Sequence, residues 1–422
     1  MQSAAAFLKH FFAPFAPFAR EKPVLLMTQP EITYGHADFS LVRGGLLFQL
    51  YRRTRLSGDA LELARRRVIV IAAVAWLPLL LLSLIGGHAV GGSIKVPFLY
   101  DIEAHVRFLI ALPILVGAEL TVDSRIRTAV KRFVERRIVV SADMPAFNAA
   151  INSVNAKLNS VKVEVAILVL VYTVGFWIWR SQIATDTASW YVTPQGSQLH
   201  LTLAGYWYAF FSIPLFQFIL LRWYFRFVIW FQFLWQVSKL NLRLIPTHPD
   251  RAAGLGFLGS SSYAFGPILF AQGTQLAGLI ANRVLYEGHN LLSFKMEAVG
   301  LVVFFMIFIL SPLLVFTSGL AHAKQKGAGE YGRLASRYVN GFQEKWIEGA
   351  PPVEEQLLGS ADIQSLADLG NSFAVVQEMR LVPFGFKDVV RLGIVTAAPL
   401  LPLALTVVSL EEILRWLIKV LL

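Results

Sequence analysis

The sequence predicts an all-α, polytopic membrane protein of about seven transmembrane helices with cytoplasmic helical extensions. Of its 422 residues, 56% are hydrophobic and 15% are charged, whereas a soluble domain carries about 25% charged residues. The stretch from Leu203 to Arg243 contains no acidic residue. As one helix it would be about 60 Å long, roughly twice the thickness of a bilayer core. Both observations indicate that most of the chain lies in a lipid bilayer.

Long apolar runs divide the chain into regions. The sequence predicts a cytoplasmic basic arm at 1–67, a transmembrane domain of six spans at 68–321, a cytoplasmic helical segment at 322–391, and a seventh span with a C-terminal amphipathic helix at 392–422. The predicted spans are 68–87, 106–122, 163–179, 203–221, 257–281, 298–320 and 392–408. Because Pro399 and Pro402 interrupt the last run, a re-entrant hairpin is the alternative there.

The distribution of basic residues predicts the orientation of the chain. Of the 38 Lys and Arg residues, 31 lie in the segments 1–67, 123–162, 222–256 and 322–391. Cytoplasmic loops carry the excess of Lys and Arg, so these segments are predicted to be cytoplasmic. The protein is therefore expected in a bacterial-type inner (cytoplasmic) membrane, with a cytoplasmic N-terminus. Topology explains the net charge of +11 better than a nucleic-acid partner does.

Two cytoplasmic helical regions are predicted. In 123–162, the residues Phe147, Ile151, Val154, Leu158 and Val161 repeat at 4-3-4-3 spacing and lead into the third span. This seam predicts an antiparallel hairpin that also covers the apolar tail at 223–237. In 322–391, glycines at 327, 329 and 341 predict short helices. The acidic stretch 350–378 is predicted to fold back on the hairpin, with a simply solvated face as the alternative.

Five polar side chains in or beside the predicted spans are candidates for a pathway or an intramembrane charge site: Arg222, Arg226, Glu119, Glu164 and Gln217. The two arginines lie four residues apart, on one face of a helix inside the longest apolar run. A charge at membrane depth costs several kcal/mol, so it implies either a function or a partner. Arginines lining a pore would pass anions. The alternative is structural pairing with one of the two glutamates.

Histidines suggest a second candidate site. His88, His105, His200 and His289 all fall on the predicted far side of the membrane, where imidazoles bind divalent metals or sense pH. Chance placement of four of the eight histidines in short loops is the alternative. The chain has no cysteine, which excludes thiolate metal sites and disulfides.

Residues 248–259 contain two further patterns. His248 and Asp250 match a short metal-ligand spacing, but a structured turn with Asp250 capping the fifth span is the better interpretation. The glycines at 254, 256 and 259 match GxGxxG. No predicted strand precedes them, so close helix packing is favoured over dinucleotide binding. No catalytic set and no cofactor site is predicted.

These patterns leave three hypotheses for function. The first is an ion channel or facilitator with an anion-selective pathway. The alternative is a membrane scaffold or signalling component acting through its cytoplasmic helices, and the third is a lipid-active enzyme. The expected partners are membrane lipids, further copies of the chain and a cytoplasmic protein. Small residues at 271–278 would let helices approach closely, within one chain or between chains.

Overall fold

The computed structural model describes residues 39–42, 44, 64–91, 94, 96–177, 189–195, 198–349 and 361–406. Most of the N-terminal arm and the predicted C-terminal amphipathic helix lie outside the described residues. Within them the chain is almost wholly helical, which confirms the predicted all-α class. One antiparallel hairpin departs from it, formed by β1 (Val192–Gln195) and β2 (Gln198–Leu201).

Five helices in the described part of the chain are long and apolar enough to cross a membrane. A sixth candidate is the helix pair α3 (Ser141–Leu158) and α4 (Val161–Gly175), which is bent by 48° at its break. Seven spans are therefore not confirmed. The five long helices are α1 (Ala64–Ile85), α2 (Ile102–Glu135), α5 (Leu203–Ser238), α6 (Phe257–Tyr286) and α7 (Leu291–Glu348).

The predicted seventh span is not a regular helix over the residues described. Helix α9 covers Phe386–Ala397, and a 3₁₀ segment follows at Ala398–Thr406. Pro399 and Pro402 lack backbone N–H groups, so the i to i−4 hydrogen bonding of an α-helix cannot continue through them. Residues 407–422 lie outside the described part.

Small residues on α6 let neighbouring elements approach closely. A Cβ built on Gly273 would lie 2.1 Å from the Thr396 carbonyl oxygen of α9, and one on Gly278 would lie 3.2 Å from Val106 of α2. The predicted close approach of the 271–278 run therefore occurs within one chain.

Helix α3 covers the aromatic end of α5, as the sequence predicts. Phe147 is buried with its ring centroid 5.9 Å from that of Phe233, and the seam residues through Leu158 are buried. The seam does not lead straight into the third span, because the chain bends after Leu158 and leaves Val161 44% exposed. The main partner of α3 is α5 rather than the C-terminal end of α2, since the aromatic helix offers the larger apolar surface.

The three glycines predicted to end helices in 322–391 do not do so. Gly327, Gly329 and Gly341 all lie inside α7, and the prediction of helix breaks is wrong there. A Cβ on Gly327 would lie 2.6 Å from Pro246, so this glycine serves close packing. Helix α8 (Ala361–Gln377) folds back on α7, not on α3. We call residues 317–349 and 361–377 the α7–α8 hairpin.

Candidate functional site

A cluster of five charged side chains lies inside the helix bundle. Glu119 lies 2.7 Å from Arg67, 3.0 Å from Arg226 and 3.7 Å from Arg222. Arg222 also donates to Glu164 at 2.9 Å. All five side chains are at most 7% exposed. We call these residues the arginine cluster.

Four helices contribute to the arginine cluster. Helix α2 supplies Glu119, α4 supplies Glu164, and α5 supplies Arg222 and Arg226 one turn apart on its inner face. Helix α1 supplies Arg67. Because one carboxylate on α2 binds guanidinium groups from α1 and α5, the cluster ties these helices to one another.

Sequence reasoning missed Arg67, which it treated as part of a basic flank. The spacing of α1 carries a signal that could have identified it. Arg67 begins the row of residues at four-residue steps that forms the buried stripe of the helix, Arg67, Ile71, Ala75, Leu79 and Ser83. A residue that continues such a stripe faces the core, whatever its charge.

An irregular N-terminal segment completes the cluster. Arg226 Nη2 donates to the Val42 carbonyl oxygen at 3.2 Å, and Arg222 Nη2 donates to that of Gly44 at 3.1 Å. Ser40 donates to Asp123 on α2. We call residues 39–42 and 44 the strap. Its four residues 39–42 are each at most 5% exposed, so the strap is part of the core.

Neutral groups also hold the arginines of the cluster. Among the described residues, three guanidinium groups face two carboxylates. The two strap carbonyls stabilise the arginines through their dipoles. The ring of Trp223 lies 4.7 Å from Arg226 Cζ in cation–π geometry. Chemically, the cluster can hold an anion only if the anion takes the place of one of these groups.

Gln217 is not among the residues bonded to the arginine cluster. Its amide lies against the π-helical turn at Val171–Gly175, where a Cβ on Gly175 would be 2.4 Å from Gln217 Oε1. A larger residue at position 175 would therefore displace the Gln217 amide.

A second buried polar group lies beside the β hairpin and was not predicted. Asp101 accepts hydrogen bonds from Trp190 Nε1 at 2.8 Å, Asn282 Nδ2 at 2.7 Å and the Ala104 backbone at 3.0 Å. These three donors satisfy the buried carboxylate. The signal in the sequence is an aspartate immediately before a long apolar run, which is the pattern of a helix N-cap.

Arg107 extends this polar group within α2. It donates to Tyr208 Oη at 2.6 Å, to Gln275 Oε1 at 3.1 Å and to Glu103. Arg107 and Tyr208 each belong to a π-helical turn, at Val106–Ala111 and Tyr208–Ser212. Such turns often occur at functional positions, yet here the guanidinium is directed at groups of the chain itself.

The structure gives each of the four predicted histidines a different setting. His105 Nδ1 accepts from Trp76 Nε1 at 2.9 Å, so its Nε2 carries the proton and donates to the Leu99 carbonyl at 3.2 Å. His289 lies 3.3 Å from Glu287, while His200 is exposed on β2 and His88 follows α1. Among the described residues, no group of three or more His, Asp or Glu is placed to hold a metal ion.

The turn at 248–256 is built around Asp250. Its carboxylate accepts from the backbone N–H groups of Ala252 at 2.8 Å, Gly254 at 3.1 Å and Gly256 at 2.8 Å. The predicted structured turn before the fifth span is therefore present. Asp250 does not cap the helix itself, which begins at Phe257 with Gly256 as its N-cap and no side-chain hydrogen bond there. Arg251 and Ala253 have φ of 53°, a strained conformation for residues with side chains.

The GxGxxG glycines serve packing, as the sequence analysis favours. A Cβ on Gly256 would lie 2.9 Å from Asp250 Oδ2, and one on Gly259 would lie 2.8 Å from the Pro383 carbonyl oxygen. Both contacts are internal to the chain, so they leave no separate role for a phosphate.

The turn predicts a pH-dependent stability term. Burial favours the neutral form of Asp250, but hydrogen bonds from Ala252, Gly256 and Gly254 outweigh it and hold the pKa of Asp250 below its usual range. A carboxylate with a depressed folded pKa stabilises the fold above its unfolded pKa of about 3.9, and this contribution is lost as pH falls through the folded value. Asp250→Asn should cost on the order of 1 kcal/mol at pH 6, reduced by solvent at this partly exposed site.

Thermal unfolding of wild type and Asp250→Asn between pH 3 and pH 6 measures this term. The difference between their midpoints should shrink below about pH 4. Asp368→Asn, on the exposed surface of α8, is the matched control. A difference that stays constant down to pH 3 would show that the charge of Asp250 does not stabilise the turn.

The fold and the site together define an all-α bundle, with helices of membrane-spanning length joined by a closed cluster of buried ion pairs. Comparison of the chain with models of protein families, with curated proteins and with solved structures finds no match.

Proposed function

We propose that the protein is a multi-pass membrane scaffold or signalling component that acts through its cytoplasmic α7–α8 hairpin. The observation that carries this proposal is the exposure of apolar side chains on a projecting pair of helices. Leu334, Val339, Ile347 and Ile363 are each more than 40% exposed. Apolar groups kept at a polar surface are typical of interaction surfaces.

The membrane and the orientation belong to the same proposal. Helix α7 has 58 residues, whereas a span needs about 20, so its second half extends beyond the bilayer. That half lies in the segment 322–391, one of the basic segments that the distribution of Lys and Arg assigns to the cytoplasm. In this arrangement the α7–α8 hairpin meets cytoplasmic proteins, and the membrane is a bacterial-type inner membrane.

The geometry of the arginine cluster supports a scaffold over a channel. Arg222 and Arg226 are directed at Glu164, Glu119 and the strap carbonyls. A pore-lining arginine instead keeps donors free for passing anions. Paired and buried in this way, the arginines hold helices together.

An anion pathway is the second candidate, favoured by one observation. Arg222 and Arg226 lie buried one turn apart on α5, and two neighbouring guanidinium groups at membrane depth attract anions. In this candidate the pathway runs beside Arg222 and Arg226, and the strap must move before an anion reaches them.

Ion flux through proteoliposomes tests the two candidates against each other. For the scaffold, wild-type protein should pass neither chloride nor potassium above the level of protein-free liposomes between about pH 5 and 8, the range in which histidine titrates. Chloride flux that falls in Arg222→Ala or Arg226→Ala would overturn the scaffold and establish the pathway. Arg333→Ala, exposed on α7, is the matched control because it removes the same charge outside the bundle.

A further inference from the structure

The two helices of the α7–α8 hairpin are held in a fixed antiparallel register. At one end, Asp362 accepts from Lys345 Nζ at 3.0 Å and from Trp346 Nε1 at 2.9 Å. Toward the other end, a Cβ on Gly332 would lie 3.8 Å from Phe373. These contacts determine which sides of α7 and α8 face each other, and therefore which sides remain open.

One open side of α8 carries mainly small and apolar residues, and the exposed Gln377 ends this side at the last position of the helix. Ile363, Ala367, Gly370 and Ala374 follow each other at 4-3-4 spacing, so they form one stripe along the helix. All four are exposed, and a Cβ on Gly370 would have no atom within 4 Å. The stripe lies beside the face of α8 that contacts α7. Phe373 belongs to that face, and Ala374, the next residue, lies about 100° around the helix from it.

The same side of the hairpin continues onto α7. An α-helix turns by about 100° per residue, so Val339 and Gly332 lie on the same flank of α7. In an antiparallel pair of right-handed helices, this flank of α7 and the α8 stripe lie on the same side of the hairpin. Val339 is 44% exposed. We call Val339, Ile363, Ala367, Gly370 and Ala374 the hairpin face. It contains no charged residue.

The charges of the hairpin lie on its other sides. The exposed charged residues, which fall outside the stripe by helical position, are Lys326, Glu330, Arg333, Arg337, Glu344, Glu348 and Asp368. A two-helix hairpin with few buried residues is marginally stable in water, and in α8 only Val376 is buried. The hairpin face is therefore a surface that lacks its partner within the described chain.

We propose that the hairpin face packs against the same face of a second copy of this chain, about a two-fold axis along the membrane normal, and forms a four-helix bundle. The inference rests on the proposed function, which makes this hairpin the working surface. Copies in one membrane share an orientation, so their hairpins project to the same side and to the same height. This confinement favours a two-fold contact, the commonest symmetry of protein oligomers.

Charge favours a second copy as the partner. A two-fold contact brings each residue near its own counterpart, so a charge on the face would meet a like charge. If the side that carries Arg333 and Arg337 packed against its own copy, the two arginines of each chain would bring four positive charges together at the axis. The hairpin face would oppose none, and its glycine and alanines would let the two α8 helices approach closely.

Cysteine crosslinking in membranes tests the contact directly, because the chain has no cysteine of its own. Gly370→Cys should give an oxidised species of twice the 47.0 kDa chain mass, since disulfides form only when the two Cα atoms lie within about 7 Å. Asp368→Cys, on the same helix but another side, should give at least tenfold less. Ile363→Lys should remove the Gly370→Cys crosslink, whereas Gln364→Lys should keep it.

Each other outcome overturns the second-copy contact. Equal crosslinking of Gly370→Cys and Asp368→Cys would indicate random collision. A crosslinked species of another mass would indicate a different protein on the face, and absence of any species would indicate an open face. The last two leave the scaffold proposal standing, because that proposal is decided separately by ion flux.

Discussion

Glu119→Gln is expected to destabilise the protein more than any other conservative change of a charged side chain in the bundle. Glu119 is the shared partner of Arg67, Arg222 and Arg226, and the glutamine would leave three buried guanidinium groups with one carboxylate. Breaking a buried ion pair on one side costs about 3–5 kcal/mol. Thermal unfolding of the purified protein should show a correspondingly lower midpoint.

Two further variants separate charge from shape in this test. Glu330→Gln, exposed on α7, should leave the midpoint within the experimental error of wild type. Adding Arg226→Gln to Glu119→Gln should recover part of the loss, because it removes one unpaired charge. If the double variant is no more stable than Glu119→Gln alone, the ion pairs do not account for the stability of the cluster.

Gly273→Val is the second change with a large expected effect. The new side chain would meet the Thr396 carbonyl oxygen, which lies 2.1 Å from the position of its Cβ. A backbone atom cannot turn aside as a flexible side chain does, so α9 must shift away from α6. Overpacking of this kind costs about 1–3 kcal/mol or more.

The control for this variant is Gly300→Val on α7, where a Cβ meets nothing within 4 Å. It changes helix propensity in the same way and adds no clash. Limited proteolysis near α9 and thermal unfolding should therefore distinguish the two variants. Equal stability of the two would mean that the close approach of α9 does not contribute to the fold.

The sequence predicted those features that depend on local periodicity. The 4-3-4-3 spacing of Phe147 to Leu158 identified the buried face of α3, because apolar side chains at helical spacing face a core wherever that core is. For the same reason, the sequence predicted that another helix packs over the aromatic run after Trp223. Asp250 was correctly placed in a turn before the fifth span, but the prediction that it caps that helix was wrong, because its carboxylate is used within the turn.

The features that were missed depend on contacts between distant residues. Gly44 and Arg222 are 178 positions apart, and nothing near either residue in the sequence indicates the other. The prediction of helix breaks at Gly327 and Gly329 was wrong for a related reason. At Gly327, packing against Pro246 and Val376 of α8 outweighs the low helix propensity of glycine, which is only about 1 kcal/mol per residue.

The arginine cluster also sets an order for the synthesis of the chain. Arg67 and Glu119 belong to the first two long helices, so they can neutralise each other before α5 exists. Helix α4 then brings Glu164, and α5 brings two guanidinium groups that require both carboxylates. The strap is made before all of these, yet its carbonyls have no donors to bind until Arg222 and Arg226 arrive. The strap can therefore bind Asp123 of α2 through Ser40 early in synthesis, but it completes its contacts only after α5 has been made.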